Sequence, residues 1–336
     1  MSSLDRDAYA VLLPGLTVLE MDEEINQFFS RGGSSILLAE DRREYLNRRM
    51  SPHRIAHETS DSFHSFLKKA RQLAGPLLVA VDQELGGTQR LHRLVPPLPS
   101  AADAFEMPDD QIEKQCAQVG AGAKALGVNM FISPIVDVVT GTQPWLTGRA
   151  LGPDARQVAR IASAYIRGVQ SQGVIATAKH FPGYRELWND PAVEDSRQLG
   201  SRADLEEGFQ AFRKVFQTEV RAVMVGPAVV EALDPKESAS TSKIIVDLLR
   251  KEFGFQGLIV SDDLDSKSVM QADSVEEVAV RSLAAGVDLL LLAAGPQVES
   301  VAKALIAAVD NGRVPRSRLV EAAEKVRAAA RQFGTV

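Results

Sequence analysis

The sequence predicts a single-domain (β/α)8 barrel over residues 1–336, and three observations support this fold class. Eight short apolar runs rich in Val, Ile and Leu recur along the chain without polar alternation, as expected for parallel strands buried on both faces. Longer amphipathic stretches separate many of these runs. No linker-like stretch of Gly, Ser or Pro divides the chain. A doubly wound open sheet has the same alternation and is the structural alternative.

The predicted strands are taken from the apolar runs in chain order. Each run has the length of a strand rather than that of a helix. The runs are AVLLPG from Ala10, SILLA from Ser35, PLLVAVDQ from Pro76, NMFISPIVDV from Asn129, VIATAKHF from Val174, AVMVGPAVV from Ala222, LIVSDDL from Leu258 and VDLLLLAAG from Val287.

Helices are predicted where apolar residues recur at spacings of three and four. Ser274 followed by Glu277 is a helix start signal for one of them. The polar stretch 50–62 is predicted to be a surface loop or an irregular helix start, and His53, His57, His64 and His92 are predicted to lie at the surface. The predicted helices cover residues 109–126, 154–173, 203–221, 275–285 and 317–333.

Composition narrows the class of protein. The chain has 38 Lys and Arg against 44 Asp and Glu, a net charge of −6, and no long basic run, so neither nucleic acid nor an anionic membrane is an expected partner. The single cysteine cannot form an internal disulfide, and no zinc-type cluster or dinucleotide fingerprint occurs, so no metal or organic cofactor is implied. The N-terminus lacks the features of a signal peptide, and the expected location is the cytoplasm.

Charged residues follow several of the predicted strands, where a barrel places its catalytic groups. The third strand ends in Asp82-Gln83-Glu84, the fourth in Asp137, the fifth in Lys179-His180 and the seventh in Asp262-Asp263. A single carboxylate at such a position is as often a helix cap or a loop ion pair, and Asp137 and Asp263 fit that interpretation. Several groups converging on one barrel mouth favour a functional site.

These residues lie in segments that resemble glycoside hydrolase family 3, specifically its single-domain β-N-acetylglucosaminidases that recycle peptidoglycan fragments. The similar segments lie in order from the third strand onward. They read VDQELGGTQRL from Val81, SPIVDV from Ser133, TGRALGPDARQVARIASAYIRGVQSQGVIATAKHFPG from Thr147 and LRKEFGFQGLIVSDDLDSKSV from Leu249.

The resemblance implies roles for individual residues and a carbohydrate substrate that contains N-acetylglucosamine. It makes Asp262 the nucleophile of a retaining glycosidase, which forms a covalent glycosyl-enzyme. It also implies a monomer or weak dimer. The residues implied to bind the hydroxyls of the sugar are Asp82, Arg90, Arg149, Lys179 and His180.

The sequence departs from the family at the acid/base. The family uses a histidine in an Asp-Ser-His motif after the fifth strand, and the corresponding residues here are Asp190-Pro191-Ala192. Asp190 is therefore the retained partner of a missing histidine, and no histidine follows His180. Glu194 and Asp195 are the first candidates for a substitute acid, with Glu186 also in the loop; the alternative is a solvated acidic loop.

Three hypotheses remain open at the level of sequence. The first is a cytoplasmic retaining β-glycosidase of the N-acetylhexosaminidase type with a changed acid/base. The second keeps the nucleophile but shifts the substrate or uses phosphate as the acceptor. The third is a sugar-binding protein with impaired catalysis, which would bind N-acetylglucosamine without turnover.

Overall fold

Eight parallel strands form a closed barrel in the computed structural model, which describes residues 2–293 and 297–334. Neighbours in the sheet follow the order β7-β6-β5-β4-β3-β2-β1-β8. The barrel closes between β7 and β8, where Ser261 N donates to Leu289 O over 2.9 Å. The strands are β1 (Leu12–Leu16), β2 (Ser35–Leu38), β3 (Leu78–Val81), β4 (Met130–Phe131), β5 (Ile175–Phe181), β6 (Ala222–Val225), β7 (Leu258–Ser261) and β8 (Leu290–Leu292).

The predicted barrel is confirmed, and each of the eight apolar runs forms one of its strands, with β1 extending one residue beyond its run to Leu16. The sixth run differs from the prediction because it is interrupted after Val225. Pro227 has no N–H to donate to a ladder, and a Cβ at Gly226 would collide with the Tyr184 ring. Val229 and Val230 of this run join a small separate sheet. The last two residues of the eighth run, Ala294 and Gly295, lie outside the described residues. The small sheet consists of Arg197–Gln198, Val229–Val230 and Asp234–Ser238.

Fourteen α-helices are found in the described residues, and all five predicted segments are helical. Ser274 accepts a hydrogen bond from Glu277 N, so the predicted start signal does cap its helix. The helices are Ser3–Ala10, Glu23–Ser30, Arg42–Asn47, Pro52–His57, Ser60–Ala74, Ala101–Glu106, Asp109–Ala125, Ala155–Ser171, Glu206–Phe216, Lys243–Asp247, Lys267–Met270, Val275–Ala285, Val298–Asp310 and Arg316–Phe333, with short 3-10 segments at His92–Leu94, Pro144–Leu146 and Arg202–Leu205 and a π-helical turn at Leu248–Glu252.

Residues 50–62, predicted to be a loop or irregular helix start, contain the regular helix Pro52–His57 and the start of the helix Ser60–Ala74. The reason is local capping that the polar composition conceals. Ser51 and Thr59 each accept a hydrogen bond from a backbone N–H at the start of the helix that follows. Glu58 lies between the two helices, and its carboxylate forms an ion pair with Arg90.

The barrel interior is filled by apolar side chains from the strands, including Leu13, Met130 and Met224. Val326 and Ala330 of the last helix pack against this interior cluster. A second and larger apolar layer lies between the strands and the surrounding helices. The interior is therefore a packed core, and the carboxyl ends of the strands are the place where polar side chains gather. Within residues 2–293 and 297–334, no helix is long and apolar enough to cross a membrane.

Candidate active site

A cavity of about 550 Å³ opens at the carboxyl ends of the strands. Four of the predicted residues line it directly after their strands: Asp82 after β3, Lys179 and His180 at the end of β5, and Asp262 after β7. Arg149, from the connection after β4, also lines it. The structure brings these five residues, from distant segments of the chain, together at one barrel mouth.

Glu84 organises the cations of the cavity wall. Its carboxylate accepts a bidentate pair of hydrogen bonds from Arg149, over 2.7 and 3.0 Å, and a third from Lys179 Nζ at 2.7 Å. Lys179 Nζ also donates to Asp82 over 2.7 Å. A Cβ at Gly87 would collide with Glu84 Oε2, so the Gly86-Gly87 turn is needed to fit this carboxylate. Burial opposes the charged form of Glu84, but Arg149 and Lys179 outweigh it and hold its pKa well below its usual range.

We expect Glu84→Gln to lower the free energy of unfolding by about 3–5 kcal/mol, because the two buried cations lose a shared countercharge. Chemical denaturation of the variant and of the wild type measures this difference. Glu252→Gln is the matched control, since the Arg202–Glu252 pair is more than half exposed on both sides, and such surface pairs contribute about 0–1 kcal/mol. Equal losses in the two variants would contradict the role assigned to Glu84.

His180 is held by Asp137, which the sequence suggested was an ordinary cap or ion pair. Asp137 Oδ2 accepts the backbone N–H of His180 at 3.0 Å and lies 2.7 Å from His180 Nδ1. Because this carboxylate acts as an acceptor, we assign the Nδ1 proton to His180. Nε2 then faces Asp262 Oδ2 at 3.8 Å, and the indole of Trp145 packs on the imidazole with ring centroids 4.4 Å apart. Asp137 therefore orients the imidazole toward the cavity.

Asp262 has one carboxylate oxygen fixed and one free. Oδ1 accepts a hydrogen bond from Asp263 N at 2.8 Å, whereas Oδ2 has no hydrogen-bond partner among the described residues. Burial raises the pKa of Asp262, while the charges of His180, Lys179 and Arg149 act in the opposite direction. The result is a largely desolvated carboxylate on a residue that lines the cavity, with one oxygen left without a hydrogen bond among the described residues, and such a group is suited to act as a nucleophile.

Asp263 does not cap a helix, contrary to the interpretation favoured by the sequence. Its Oδ1 accepts a hydrogen bond from Ala293 N at 2.9 Å, and so ties the end of β7 to the end of β8. Burial and the neighbouring Asp265 raise the pKa of Asp263 well above its usual range. Asp263 therefore ionises less readily than an ordinary aspartate.

The loop 184–200 folds over one side of the cavity. Ser268 N donates to Pro191 O at 3.0 Å and Lys267 N donates to Ala192 O at 3.4 Å, so the loop is fastened to the segment after β7. Pro191 and Ala192 line the cavity. The position that carries the family's histidine is therefore at the site, but it holds a methyl group.

The carboxylates proposed as substitute acids lie elsewhere on this loop. Asp190 accepts a hydrogen bond from Ala192 N and thereby shapes the turn. Glu194 and Asp195 are exposed, and Glu186 accepts a hydrogen bond from Thr142 N. In the part of the chain that the structure describes, none of these four side chains lines the cavity. The structure thus supports the alternative interpretation of a solvated acidic loop.

Arg90 lies behind the cavity wall, although the resemblance implies that it binds sugar. Its side chain is fully buried; Nη1 and Nη2 donate to Glu58 at 2.7 and 2.8 Å, and Nε donates to Ala39 O at 3.0 Å. His92, predicted to lie at the surface, is 5% exposed beside the same glutamate. Sequence reasoning missed this cluster because Glu58 lies in the stretch predicted to be a loop. In this structure Arg90 supports the backbone at the end of β2 rather than facing the cavity.

Glu40 is a cavity residue that sequence reasoning did not find. It follows β2 by two positions and lines the cavity beside Asp82 and Lys179. The available signal was the one used for the other strands, a charged residue directly after an apolar run. Glu84 and Asp137 were visible by the same rule, but their functions depend on partners far away in the sequence.

Comparison with known proteins identifies relatives of this chain. A model described as the N-terminal domain of glycosyl hydrolase family 3 matches residues 49–329. A beta-hexosaminidase from Nitrosomonas eutropha is 31% identical over 229 residues, 66% of this chain and 66% of the relative.

Solved structures show the same similarity. A family 3 beta-N-acetylglucosaminidase from Paenibacillus matches with a TM-score of 0.88 and 26% identity, over 99% of this chain and 63% of that chain. A beta-N-acetylhexosaminidase from Beutenbergia cavernae matches with a TM-score of 0.85 and 25% identity, over 98% and 99% of the two chains. The matched region thus spans slightly less than two thirds of the Nitrosomonas and Paenibacillus proteins.

Proposed function

This chain belongs to glycosyl hydrolase family 3, and from that premise we propose that it hydrolyses terminal β-linked N-acetylglucosamine by a retaining mechanism. The observation that carries the proposal is Asp262 itself, which has a buried oxygen unpaired among the described residues and lines a cavity together with Asp82, Lys179, His180 and Arg149. The names of the relatives, beta-hexosaminidase and beta-N-acetylglucosaminidase, support the choice of sugar.

The first step proposed for Asp262 is displacement at the anomeric carbon. Oδ2 forms a bond to C1 while the bond from C1 to the leaving-group oxygen breaks, and that oxygen keeps the electron pair. In the second step water attacks C1, the bond to Asp262 breaks, and the carboxylate is restored as the sugar leaves with its original configuration. The leaving-group oxygen needs a proton in the first step, and the water must lose one in the second.

The remaining cavity residues are proposed to hold the sugar. Asp82 accepts hydrogen bonds from hydroxyl groups while Lys179 donates to hydroxyl oxygens, and the two are fixed relative to each other by their 2.7 Å ion pair. Nη1 of Arg149 is buried and has no partner among the described residues, so it is available to the ligand. Charged groups held in this way position the ring for attack at low entropic cost.

Because the histidine is missing, the rate should depend strongly on the acidity of the leaving group. We expect kcat/KM to be measurable for aryl β-N-acetylglucosaminides with acidic phenols and to fall steeply as the phenol becomes less acidic, because Ala192 cannot protonate it. General acid catalysis is worth about 10²–10⁴-fold, so alkyl glycosides should react slower by at least that factor.

Initial rates across a series of substituted phenyl glycosides measure this dependence. Added azide, which attacks C1 without losing a proton, should accelerate turnover of the most activated substrate by forming a glycosyl azide. A flat dependence on phenol acidity, with no effect of azide, would show that a proton donor operates in the wild type. Absence of turnover for every phenyl glycoside would reject the proposed function itself.

One observation bears on the alternatives kept open by the sequence. The four loop carboxylates lie away from the cavity, so none of them is placed to act as the acid or the base that hydrolysis of an unactivated glycoside needs. Sugar binding needs neither group, and phosphorolysis needs no base. Phosphate arrives already ionised and needs no base. Product analysis with and without phosphate separates these functions: sugar 1-phosphate indicates phosphorolysis, free sugar indicates hydrolysis, and calorimetric binding without product indicates a sugar-binding protein.

Three narrower proposals have sequence support only. We propose that the substrates are peptidoglycan fragments, that the protein acts in the cytoplasm, and that it is a monomer or weak dimer. The support for the first is the resemblance to recycling enzymes of the family. Turnover of purified muropeptides, cell fractionation and analytical ultracentrifugation test the three in turn.

A further inference from the structure

Glu40 is a cavity carboxyl that the proposed mechanism does not use. Its Oε2 is buried and has no hydrogen-bond partner among the described residues, although the side chain lines the cavity. Apart from Asp262, the other cavity carboxyls have partners: Lys179 donates to Asp82, Ala293 N donates to Asp263, and Asp22 and Asp41 each cap a helix. A buried acceptor without a partner is costly, so the arrangement favours a ligand that supplies the missing donor.

The position of Glu40 identifies which part of a sugar it faces. β2 and β7 are separated by β1 and β8 around the closed barrel, so Glu40 and Asp262 lie on well-separated parts of the mouth. The charges that act on Glu40 are those of Asp82, Glu84 and Lys179. A pyranose whose anomeric carbon meets Asp262 therefore extends its opposite end, with the substituents on C4 and C6, toward Glu40 and Asp82.

We propose that Glu40 determines specificity at this far end of the sugar, by accepting a hydrogen bond from a free hydroxyl on C4 or C6 and by excluding sugars with an anionic group there. The inference rests on the proposed function, because it takes the placement of C1 from Asp262. The excluded class comprises sugars that carry a carboxylate or a phosphate at C6. Their charge would meet a wall on which carboxylates already outnumber cations.

The charge on this wall follows from the residues that line the cavity. They include six carboxyl side chains and three cationic ones. The cations are Arg42, Arg149 and Lys179, and the last two are already bound by Glu84. Like charges brought together without solvent are strongly unfavourable, and both buried cations are already paired with Glu84, so little countercharge is left for an added anion beside Glu40.

Other groups around Glu40 set the pH at which this exclusion operates. Burial and the negative charges of Asp82 and Glu84 raise the pKa of Glu40 to about 7, while Lys179 opposes the shift. Asp41 follows Glu40 in the chain and caps the next helix, and Arg90 lies behind the Ala39 carbonyl. Since the pKa is raised, Glu40 is largely neutral at pH 6 and largely charged at pH 8. Discrimination against an anionic sugar therefore increases with pH.

The test compares aryl β-N-acetylglucosaminide with its 6-phosphate, using one activated phenol, in the wild type and in Glu40→Gln. We expect the ratio of kcat/KM, neutral over phosphorylated, to fall by at least about tenfold in the variant, the minimum expected for removal of a like charge at close range. For the neutral sugar the loss should appear mainly in KM. In the wild type the ratio should rise from pH 6 to pH 8, and in Glu40→Gln it should rise less.

Asp22→Asn is the matched control, because it removes another cavity charge while asparagine still caps the helix. Its ratio should fall clearly less than that of Glu40→Gln, because Asp22 is not among the charges named above as acting on Glu40. An unchanged ratio in Glu40→Gln, or equal changes in both variants, would overturn the proposal even if the enzyme is active. Absence of turnover of the neutral sugar by the wild type would instead reject the proposed function, and thermal unfolding confirms that each variant is folded.

Discussion

Asp262→Asn is expected to lower turnover of an activated aryl β-N-acetylglucosaminide by at least about 10⁴-fold, the scale on which removal of a reacting side chain acts. The reason is that the amide lacks the negative oxygen that bonds to C1. Because Oδ2 has no partner among the described residues, its replacement breaks no hydrogen bond within them. The loss should therefore appear in activity and hardly at all in the free energy of unfolding.

The control for this result is the adjacent carboxyl. Asp263→Asn keeps an acceptor for Ala293 N and replaces a carboxyl that ionises less readily than usual because its pKa is raised. We expect it to retain turnover. Initial rates of both variants under identical conditions provide the comparison, and similar losses in the two would show that Asp262 has no special role.

The second large effect is a gain of activity. Ala192→His should raise kcat/KM for alkyl or disaccharide substrates by about 10²-fold or more, within the range of general acid catalysis. Position 192 lines the cavity, and Asp190 lies two residues earlier in a turn that already joins the two positions. The imidazole would supply the proton that the leaving-group oxygen lacks. For activated phenols the gain should be much smaller, because they depart without protonation.

Two further variants separate proton transfer from the effect of filling space. Ala192→Gln places a side chain of similar size at the same position without an acid in the useful range, and it should give no gain. The combined Ala192→His and Asp190→Asn variant should lose part of the gain and shift the alkaline limb of the pH profile, because the carboxylate stabilises the imidazolium. Equal rates for the His and Gln variants would contradict the interpretation that position 192 lacks a proton donor.

The order of strands and helices was predictable because it depends on local properties. Strands buried on both faces are apolar throughout, and helices show their spacing and their caps within a few residues. The placement of Asp82, Lys179, His180 and Asp262 was predictable for a related reason. A residue that directly follows a barrel strand must lie at the mouth, whatever the rest of the chain does.

The pairing of side chains was not predictable in the same way. Glu84 binds residues 65 and 95 positions away, and Asp137 binds a residue 43 positions away. The direction in which Arg90 points depends on Glu58, which lies in a segment whose helical caps were hidden by its polar composition. Side-chain direction is decided by such long-range partners, and the sequence offered no signal that Glu58 would be one.

The acid/base loop shows both what was predictable and what was not. Sequence comparison located the missing histidine at Ala192, and the structure puts this position at the cavity. The sequence did not indicate whether the side chain of Glu194 or Asp195 turns toward the cavity, because the backbone of a loop is fixed by contacts with other elements. Here those contacts are the hydrogen bonds from Lys267 and Ser268, which bring Pro191 and Ala192 to the cavity wall.

Trapping the glycosyl-enzyme shows whether Asp262 forms a covalent bond to the sugar. With an activated phenyl glycoside the first step needs no acid, whereas the second lacks the base that would activate water. We expect a burst of phenol equal to the enzyme concentration and, by intact-mass spectrometry, one N-acetylglucosaminyl group on the wild type and none on Asp262→Asn. Phenol release without a covalent adduct, and at the same rate in Asp262→Asn, would contradict this expectation.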